Sequence, residues 1–398
     1  MTSTGDEFTS IEICAGAGGQ AVGLHEAGFR HLALVEIDTH AAKTLERNVA
    51  AHDAWSWERQ YCDILAKDVK LFDPKTDLVK SGELRERHGV DLLAGGVPCP
   101  PFSHAGKQLG KDDERDLFPR MLELVETLEP KAVLIENVRG LMDPKFADYR
   151  TMIRAKLEGG TYREEDGTEV TTEGLGYTVS KWDVLEASDF GVPQLRPRAI
   201  LVAFRKEVLS SVKGDLKYEW PTATREVPVS VAEALDETMQ ERYQRYFDSP
   251  KHGARARKAL EHWREAAAKR NVALDGKGIA PTLVGGSKKH GGADLGPSRA
   301  KAAWRQLGVS GMGVANDMET CAKKETEDRD LFGADGPMLT VEQAAIIQGF
   351  PKGWILDGGK TAQYRQVGNA FPPPVAKAVG DSIMDVLKAA RERDARQS

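Results

Sequence analysis

Cysteine is scarce in this chain. Four occur among 398 residues, at positions 14, 62, 99 and 321, and no two form a CxxC pair. That spacing speaks against the common structural zinc motifs and against a disulfide framework, so no metal site is expected. A thiol with special chemistry has to be singled out by its surroundings. Long apolar runs are missing as well; none approaches the roughly 20 residues that a spanning helix needs, and no membrane association is expected. The opening MTSTGDEFTS has neither the basic nor the apolar stretch of a secretory signal, so the expected location is cytoplasmic. Net positive charge is also lacking. The chain carries −6, which by itself argues against a polyanionic partner. The distribution argues the other way: residues 242–306 hold 15 Lys and Arg against 5 Asp and Glu, a local balance of +10. A basic segment in an acidic protein is an electrostatic footprint for nucleic acid, or else the solvated face of a helix.

What is present is alternation. Short apolar runs predict strands at 10–14, 31–37, 91–95, 131–136, 177–185 and 199–204, and helical patterns lie between them. Thr39 is the expected cap of a helix carrying Ala42, Leu45 and Val49 on one face. From 116 to 128, Phe118, Met121, Leu122 and Val125 recur at helical spacing. Strands alternating with helices predict an α/β domain, a mostly parallel sheet with helices on both faces. After Phe204 the rhythm breaks at Trp220-Pro221 and Pro228. A basic amphipathic helix is predicted over 251–274, a glycine- and lysine-rich loop over 276–297, and a last helix over 374–393 with Val375, Val379, Ile383 and Leu387 on one face.

The run IEICAGAGGQ sets a glycine turn directly after a strand, where Gly16, Gly18 and Gly19 let the backbone bend tightly and approach a ligand. Glu36 follows Gly16 by twenty residues at the end of the next strand, a position suited to ribose hydroxyls, and Ile37 beside it suits a flat base. A third strand end offers Asp63-Ile64. Strand-end carboxylates are common without any ligand, but three such features in chain order favour a nucleoside. The spacing is not GxGxxG and the lysine of a P-loop is absent. An adenosine-bearing cofactor without a pyrophosphate therefore fits, and S-adenosylmethionine is one.

The segment DLLAGGVPCPPFSHAG, residues 91–106, sets Cys99 between prolines just past a strand. Each proline fixes its own φ, and a stiff loop after a strand is where reactive side chains are commonly held. Here the chain resembles the DNA cytosine C5-methyltransferase family of bacterial type. The glycine turn resembles that family's first motif; Glu36 and Asp63-Ile64 its second and third; Pro98-Cys99 its proline–cysteine pair; and Arg115-Asp116-Leu117-Phe118 the motif that follows. Glu136-Asn137-Val138 resembles its Glu-Asn-Val motif, Gln194-Leu195-Arg196-Pro197-Arg198 its Gln-x-Arg-x-Arg motif, and residues 343–351 and 366–373 its last two. One departure is Cys14, where the family commonly has a phenylalanine against the cofactor.

The resemblance implies methyl transfer from S-adenosylmethionine to carbon 5 of a cytosine in double-stranded DNA, on a base rotated out of the helix. It implies Cys99 as nucleophile and Glu136, Arg196 and Arg198 as its catalytic partners. Cys14, Gly16, Gly18, Gly19, Glu36, Ile37, Asp63, Ile64, Pro98 and Asn369 are the expected cofactor contacts. The interval before the ninth motif implies a target-recognition domain. Ser103, Lys107, Thr282, Lys288, Lys289, Arg299 and Arg305 are the expected DNA contacts. The resulting expectation is a Rossmann-like S-adenosylmethionine-dependent methyltransferase domain over 1–205 and 352–398, and a recognition domain over 206–351. The enzyme is expected to be a monomer of a restriction–modification system, with any cognate endonuclease acting separately. A transfer-RNA cytosine methyltransferase, a non-catalytic DNA-binding relative and a nicotinamide dehydrogenase are the competing readings.

Overall fold

The computed structural model describes residues 7–98, 116–164, 166–210, 216–225, 227–273, 278–285 and 293–396. Packing groups them into two compact units. The first comprises Met1–Leu185, Pro197–Pro221 and Ala376–Ser398, and the second Glu186–Arg196 and Thr222–Val375. The segment 352–375, expected from the sequence to join the larger domain, thus packs within the second unit.

Nine strands are found among the described residues of the first unit and its border: β1 (Phe8–Ile13), β2 (Phe29–Glu36), β3 (Asp63–Ala66), β4 (Leu92–Gly95), β5 (Ala132–Val138), β6 (Gly160–Arg163), β7 (Glu169–Thr172), β8 (Tyr177–Glu186) and β9 (Pro197–Arg205). Seven form one sheet in the order β3-β2-β1-β4-β5-β9-β8. β1 to β5 run parallel and β9 pairs antiparallel with β5. Strand segments buried on both faces must be apolar almost throughout, and the runs 32–35 of β2, 132–135 of β5 and 199–204 of β9 are. The six predicted strands are all present. The β6–β7 hairpin carried no signal, because its strands are mostly exposed, and the four-residue β3 was legible only as a strand end at Asp63-Ile64.

The order reverses between β1 and β4. In an open sheet of this kind the crevice outside the carboxyl ends of those two strands is where ligands are taken. Gly95, which ends β4, permits this close spacing: a Cβ there would lie 2.7 Å from Cγ1 and 3.1 Å from the carbonyl oxygen of Ile13 on β1.

A continuous core packs Ile11, Ile13, Leu93, Val133, Ile135 and Leu201 of the sheet with Phe118, Met121, Leu122 and Val125 of the helix Phe118–Leu128 and Ile153 and Leu157 of the helix Ala147–Glu158. Removing each such side chain from water contributes about 1.5–3 kcal/mol. In the last helix, Pro373–Ala395, the predicted stripe of Val375, Val379, Ile383 and Leu387 is buried. Gly380 there lies against the helix Gly19–Glu26, so closely that a Cβ would come within 2.8 Å of the Ala27 Cβ. The helix Thr39–Ala51 is present as predicted, but its cap is Asp38 rather than Thr39. The Asp38 carboxylate accepts from the N–H groups of His40 at 2.9 Å and Ala41 at 3.1 Å. Asp38 holds the extended backbone that a cap requires, whereas Thr39 is already helical.

The second unit is built of helices, among them Val231–Gln244, Gly253–Ala273, Ser298–Gln306, Val341–Gln348 and Lys360–Asn369. Its core holds Trp263, Trp304, Tyr243 and Tyr364. The predicted basic helix is the segment Gly253–Ala273. No helix among the described residues is long and apolar enough to cross a membrane.

Candidate active site

The carboxyl end of β1 leads straight into a left-handed turn. Cys14 has φ 54, Gly16 φ 54 and Gly18 φ 88. Gly18 then serves as the residue before the helix Gly19–Glu26. At Gly16 a side chain would meet nothing within 4 Å, so this turn borders open space. Cys14 holds a conformation unusual for a residue with a side chain, of the strained kind that persists only where the surroundings enforce it.

Glu36 ends β2 and fixes this turn. Its Oε2 accepts from the Gly16 N–H at 2.8 Å and its Oε1 from the Asp38 N–H at 2.7 Å. Each carboxylate oxygen has capacity for a second donor, so two adjacent hydroxyls could be taken by the same group. Burial pushes the Glu36 carboxyl above the usual carboxylate range. Ile37 follows, 65% exposed, a large apolar side chain at the same strand end.

Two features escaped the sequence reading. Glu12, on β1, is buried, and its Oε2 has no hydrogen-bond partner among the described residues. Burial first, and Glu36 second, drive its carboxyl well above the ordinary range. The available signal was an acid alternating with Ile11 and Ile13 in an otherwise buried strand. The second is the state of Cys14. Burial, then the neighbouring carboxyl groups Glu36 and Glu12, push its thiol up to about 12. A thiol so far from ionising is a poor nucleophile and a poor target for oxidation.

Asp63 departs from expectation. It opens β3 instead of closing it, in register with Ala33, three residues short of Glu36. Its carboxylate accepts from the Lys80 and Ser81 N–H groups and the Ser81 hydroxyl at 3.0–3.1 Å. It therefore closes the turn at 80–81. The four-residue length of β3 hid this from the sequence. Ile64 is half-buried beside it.

The second half of the site lies at the ends of β4 and β5. Glu136 Oε1 pairs with the Arg198 Nε at 2.6 Å, with both side chains about one-eighth exposed. Antiparallel pairing explains the encounter: Arg198 stands opposite Val138, on the diagonal from Glu136. The other carboxylate oxygen, Oε2, lies over Gly96, where a Cβ would come within 3.0 Å of it. Asn137 turns its Nδ2 onto the Val97 carbonyl at 2.8 Å. The Pro98 carbonyl accepts from the Leu117 N–H at 3.2 Å, and Pro98 itself is exposed. Asp116 Oδ1 accepts from the Phe118 N–H, at the start of the helix Phe118–Leu128, and its carboxylate receives the Tyr149 hydroxyl. Thus Asn137 and Leu117 hold the chain on the approach to Cys99. Cys99, Ser103, Lys107 and Arg115, with Lys288 and Lys289, lie outside the described residues.

The structure separates Arg196 from Arg198. Arg196 is 1% exposed and belongs to the second unit. Its Nη1 donates to the Leu283 carbonyl at 2.7 Å and its Nη2 to the carbonyls of Gly368 and Ala370 at 2.8 and 2.9 Å. Gln194 works beside it, donating to the Ile347 carbonyl and to Gln348 Oε1 and accepting from the Leu283 N–H. The expectation of a catalytic charge at Arg196 is corrected: its guanidinium is engaged by main-chain carbonyls of the second unit.

Of the remaining residues of the second unit, Thr282 is half-buried and donates its hydroxyl to the Leu195 carbonyl. Asn369 is exposed and packs on Gly285. Gly285 and Gly368 meet backbone to backbone; a Cβ on Gly368 would lie 2.6 Å from the Gly285 Cα. Arg299 is exposed on the helix Ser298–Gln306, and Arg305 on the same helix is paired with Asp335 at 2.8 Å.

A family model described as C-5 cytosine-specific DNA methylase matches residues 8–385. The type II methyltransferase M.NaeI of Lentzea aerocolonigenes is 43% identical over 378 residues, spanning 95% of this chain and 75% of that protein. The type II methyltransferase M.NgoMIV of Neisseria gonorrhoeae is 42% identical over 385 residues, spanning 96% of this chain and 99% of that one. Among solved structures, a DNMT2 mutant of Spodoptera frugiperda matches with a TM-score of 0.54 at 17% identity, covering 96% of this chain and 100% of the other. That likeness speaks to the fold alone.

Proposed function

Since the chain belongs to the C-5 cytosine-specific DNA methylase family and is a DNA cytosine C5-methyltransferase with the S-adenosylmethionine-dependent methyltransferase fold, we propose that Cys99 is its nucleophile and that Glu136 and Arg198 are the catalytic groups that meet the base. The observation that carries this reading is the Glu136–Arg198 pair at 2.6 Å. It sits at the strand ends where Gly96, Val97 and Pro98 lead into position 99.

Carbon 5 of cytosine is a weak nucleophile. Addition of the Cys99 thiolate to carbon 6 forms a C–S bond and moves the ring's electron pair toward carbon 5, splitting one hard step into easier ones. Glu136 hydrogen-bonds or protonates ring nitrogen 3 and so lets the ring accept that electron pair. Arg198 orients the Glu136 carboxylate and offers its remaining donors to the base carbonyl. Once carbon 5 is methylated, loss of its proton to water and departure of the thiolate restore the aromatic ring. A base inside a duplex cannot offer this face, so it must be rotated out, at a cost of a few kcal/mol.

The family and fold imply S-adenosylmethionine. Bound there, it supplies an electrophilic methyl group. The residues fit it: Gly16 borders open space, Glu36 presents two fixed oxygens to a ribose, Ile37 offers an apolar face to an adenine, and the buried Glu12 has an unpartnered oxygen. Cys14 leaves this edge of the site roomier than a phenylalanine would. Within the second unit, the basic interval with Thr282, Lys288, Lys289 and Arg299 contacts double-stranded DNA. Arg305 takes part only by exchanging Asp335 for a phosphate. We infer a modification enzyme of a restriction–modification system, as its type II relatives are named, and that it acts as a monomer, separately from any endonuclease.

A duplex carrying 5-fluorocytosine at the target, with S-adenosylmethionine, should trap a denaturation-resistant protein–DNA adduct, because fluorine cannot leave carbon 5 as a proton does. Peptide mapping should place the bond on Cys99, and Cys99→Ser should give none. An adduct that survives the serine substitution removes the assignment. Methyl transfer to DNA but not to transfer RNA separates this reading from its nearest rival.

A further inference from the structure

The helix Gly19–Glu26, which begins at the glycine turn, is tied down at its far end by a cluster that methyl transfer does not use. His25 lies in its last turn, His31 on β2, and Glu58 on the short helix Ser56–Tyr61. One nitrogen from each imidazole and one Glu58 oxygen all lie within 4.8 Å of one another, the only such grouping among the described residues.

Three further observations bear on what this cluster holds. The imidazoles of His25 and His31 have centroids 4.4 and 5.5 Å from Trp55 and only 6.4 Å from each other, with planes 25° apart. Those distances put both rings on one face of the indole, side by side. Next, His31 Nε2 lies 3.0 Å from the Ala21 carbonyl, which can only accept. The ring proton is therefore on Nε2 and the lone pair on Nδ1, now 2.9 Å from the Ser10 hydroxyl. A histidine whose second N–H is fixed by a main-chain carbonyl is the usual metal-bound arrangement. Finally, Glu58 is fully buried and its Oε1 meets His25 Nδ1 at 3.1 Å, yet its Oε2 has no hydrogen-bond partner among the described residues. A buried carboxylate oxygen without a donor is destabilising unless a cation takes it.

We propose that His25, His31 and Glu58 bind one divalent transition-metal ion of the zinc type, two imidazole nitrogens and a carboxylate oxygen from three different elements. Such ions take ligands at about 2.0–2.2 Å, so the three side chains close in by roughly an ångström, and His31 exchanges the Ser10 hydroxyl for the ion. The fourth position is left to water. The metal clamps the helix behind the glycine turn to β2, so its role is to fix the cofactor-binding turn and not to enter the chemistry. Ligands at 25, 31 and 58 follow no short spacing pattern, which is why the sequence predicted no metal.

Full-length protein freed of metal with a chelator should bind one equivalent of Co2+ with the visible bands of a four- or five-coordinate ion, and Zn2+ should displace it. Zn2+ at a hundred times its dissociation constant should raise the folded-to-unfolded ratio about a hundredfold. His25→Gln and Glu58→Gln should each abolish the bands. If Glu58→Gln fails to fold, His25→Gln, at the more exposed ligand, decides alone. Absence of stoichiometric binding, or bands that persist in His25→Gln, overturns the proposal and leaves a histidine–carboxylate ion pair in its place.

Discussion

Glu136→Ala should lower kcat for methyl transfer to duplex DNA by about 10²–10⁴-fold, the range that a positioned general acid contributes, with S-adenosylmethionine binding nearly unchanged. Glu36 holds the glycine turn through the Gly16 and Asp38 N–H groups, whereas Glu136 is paired with Arg198, so cofactor affinity is the internal control. Glu136→Gln sharpens the reading. Its amide keeps a hydrogen-bond donor for ring nitrogen 3 but cannot deliver a proton, so it should retain more activity than the alanine variant. If the pair with Arg198 were only a structural brace, both variants would lower the melting temperature and leave kcat of the folded fraction intact. Single-turnover transfer, alongside thermal unfolding, distinguishes the two.

Arg196→Met, two residues from Arg198, should do the opposite. It leaves the carbonyls of Leu283 and Gly368 buried without their side-chain donor, while the Ala370 carbonyl keeps the Gln348 Nε2 donor. Each unsatisfied buried acceptor costs about 1–3 kcal/mol, so a total loss on the order of 3–5 kcal/mol is expected, a large part of the stability of an ordinary domain. Arg196→Lys should recover little, because an ammonium on a single stem cannot reproduce the planar fork that spans these oxygens. Urea unfolding reads the loss, and hydrogen exchange should place it around 283 and 366–370. A stable Arg196→Met protein with lost activity would return Arg196 to the catalytic group.

These two arginines mark the limit of what the sequence could say. The motif names both, but their partners come from residues 87 and 172 positions away in one case and from the neighbouring antiparallel strand in the other. No local pattern encodes that choice. The parallel sheet was legible because buried strands must be apolar, and the glycine turn because only glycine bends that way at low cost. Asp38 displaced Thr39 as a cap because both are good cap residues and one position decides between them. Asp63 was misplaced because a four-residue strand has no clear ends in sequence. Glu12, an acid hidden among isoleucines, was overlooked because a strand that is otherwise apolar draws attention to its apolar members.

The meeting of Gly285 with Gly368 has a bearing on how this protein can change over generations. A methyl group at 285 would strike the Asn369 side chain, at 2.2 Å from its Oδ1, and shortening that side chain is an available remedy. A methyl group at 368 would strike main-chain atoms of 284 and 285, at 2.6–2.7 Å. Nothing at those positions can be trimmed, so no partner mutation repairs the damage. One glycine is therefore negotiable in company with its neighbour, and the other is a dead end for drift.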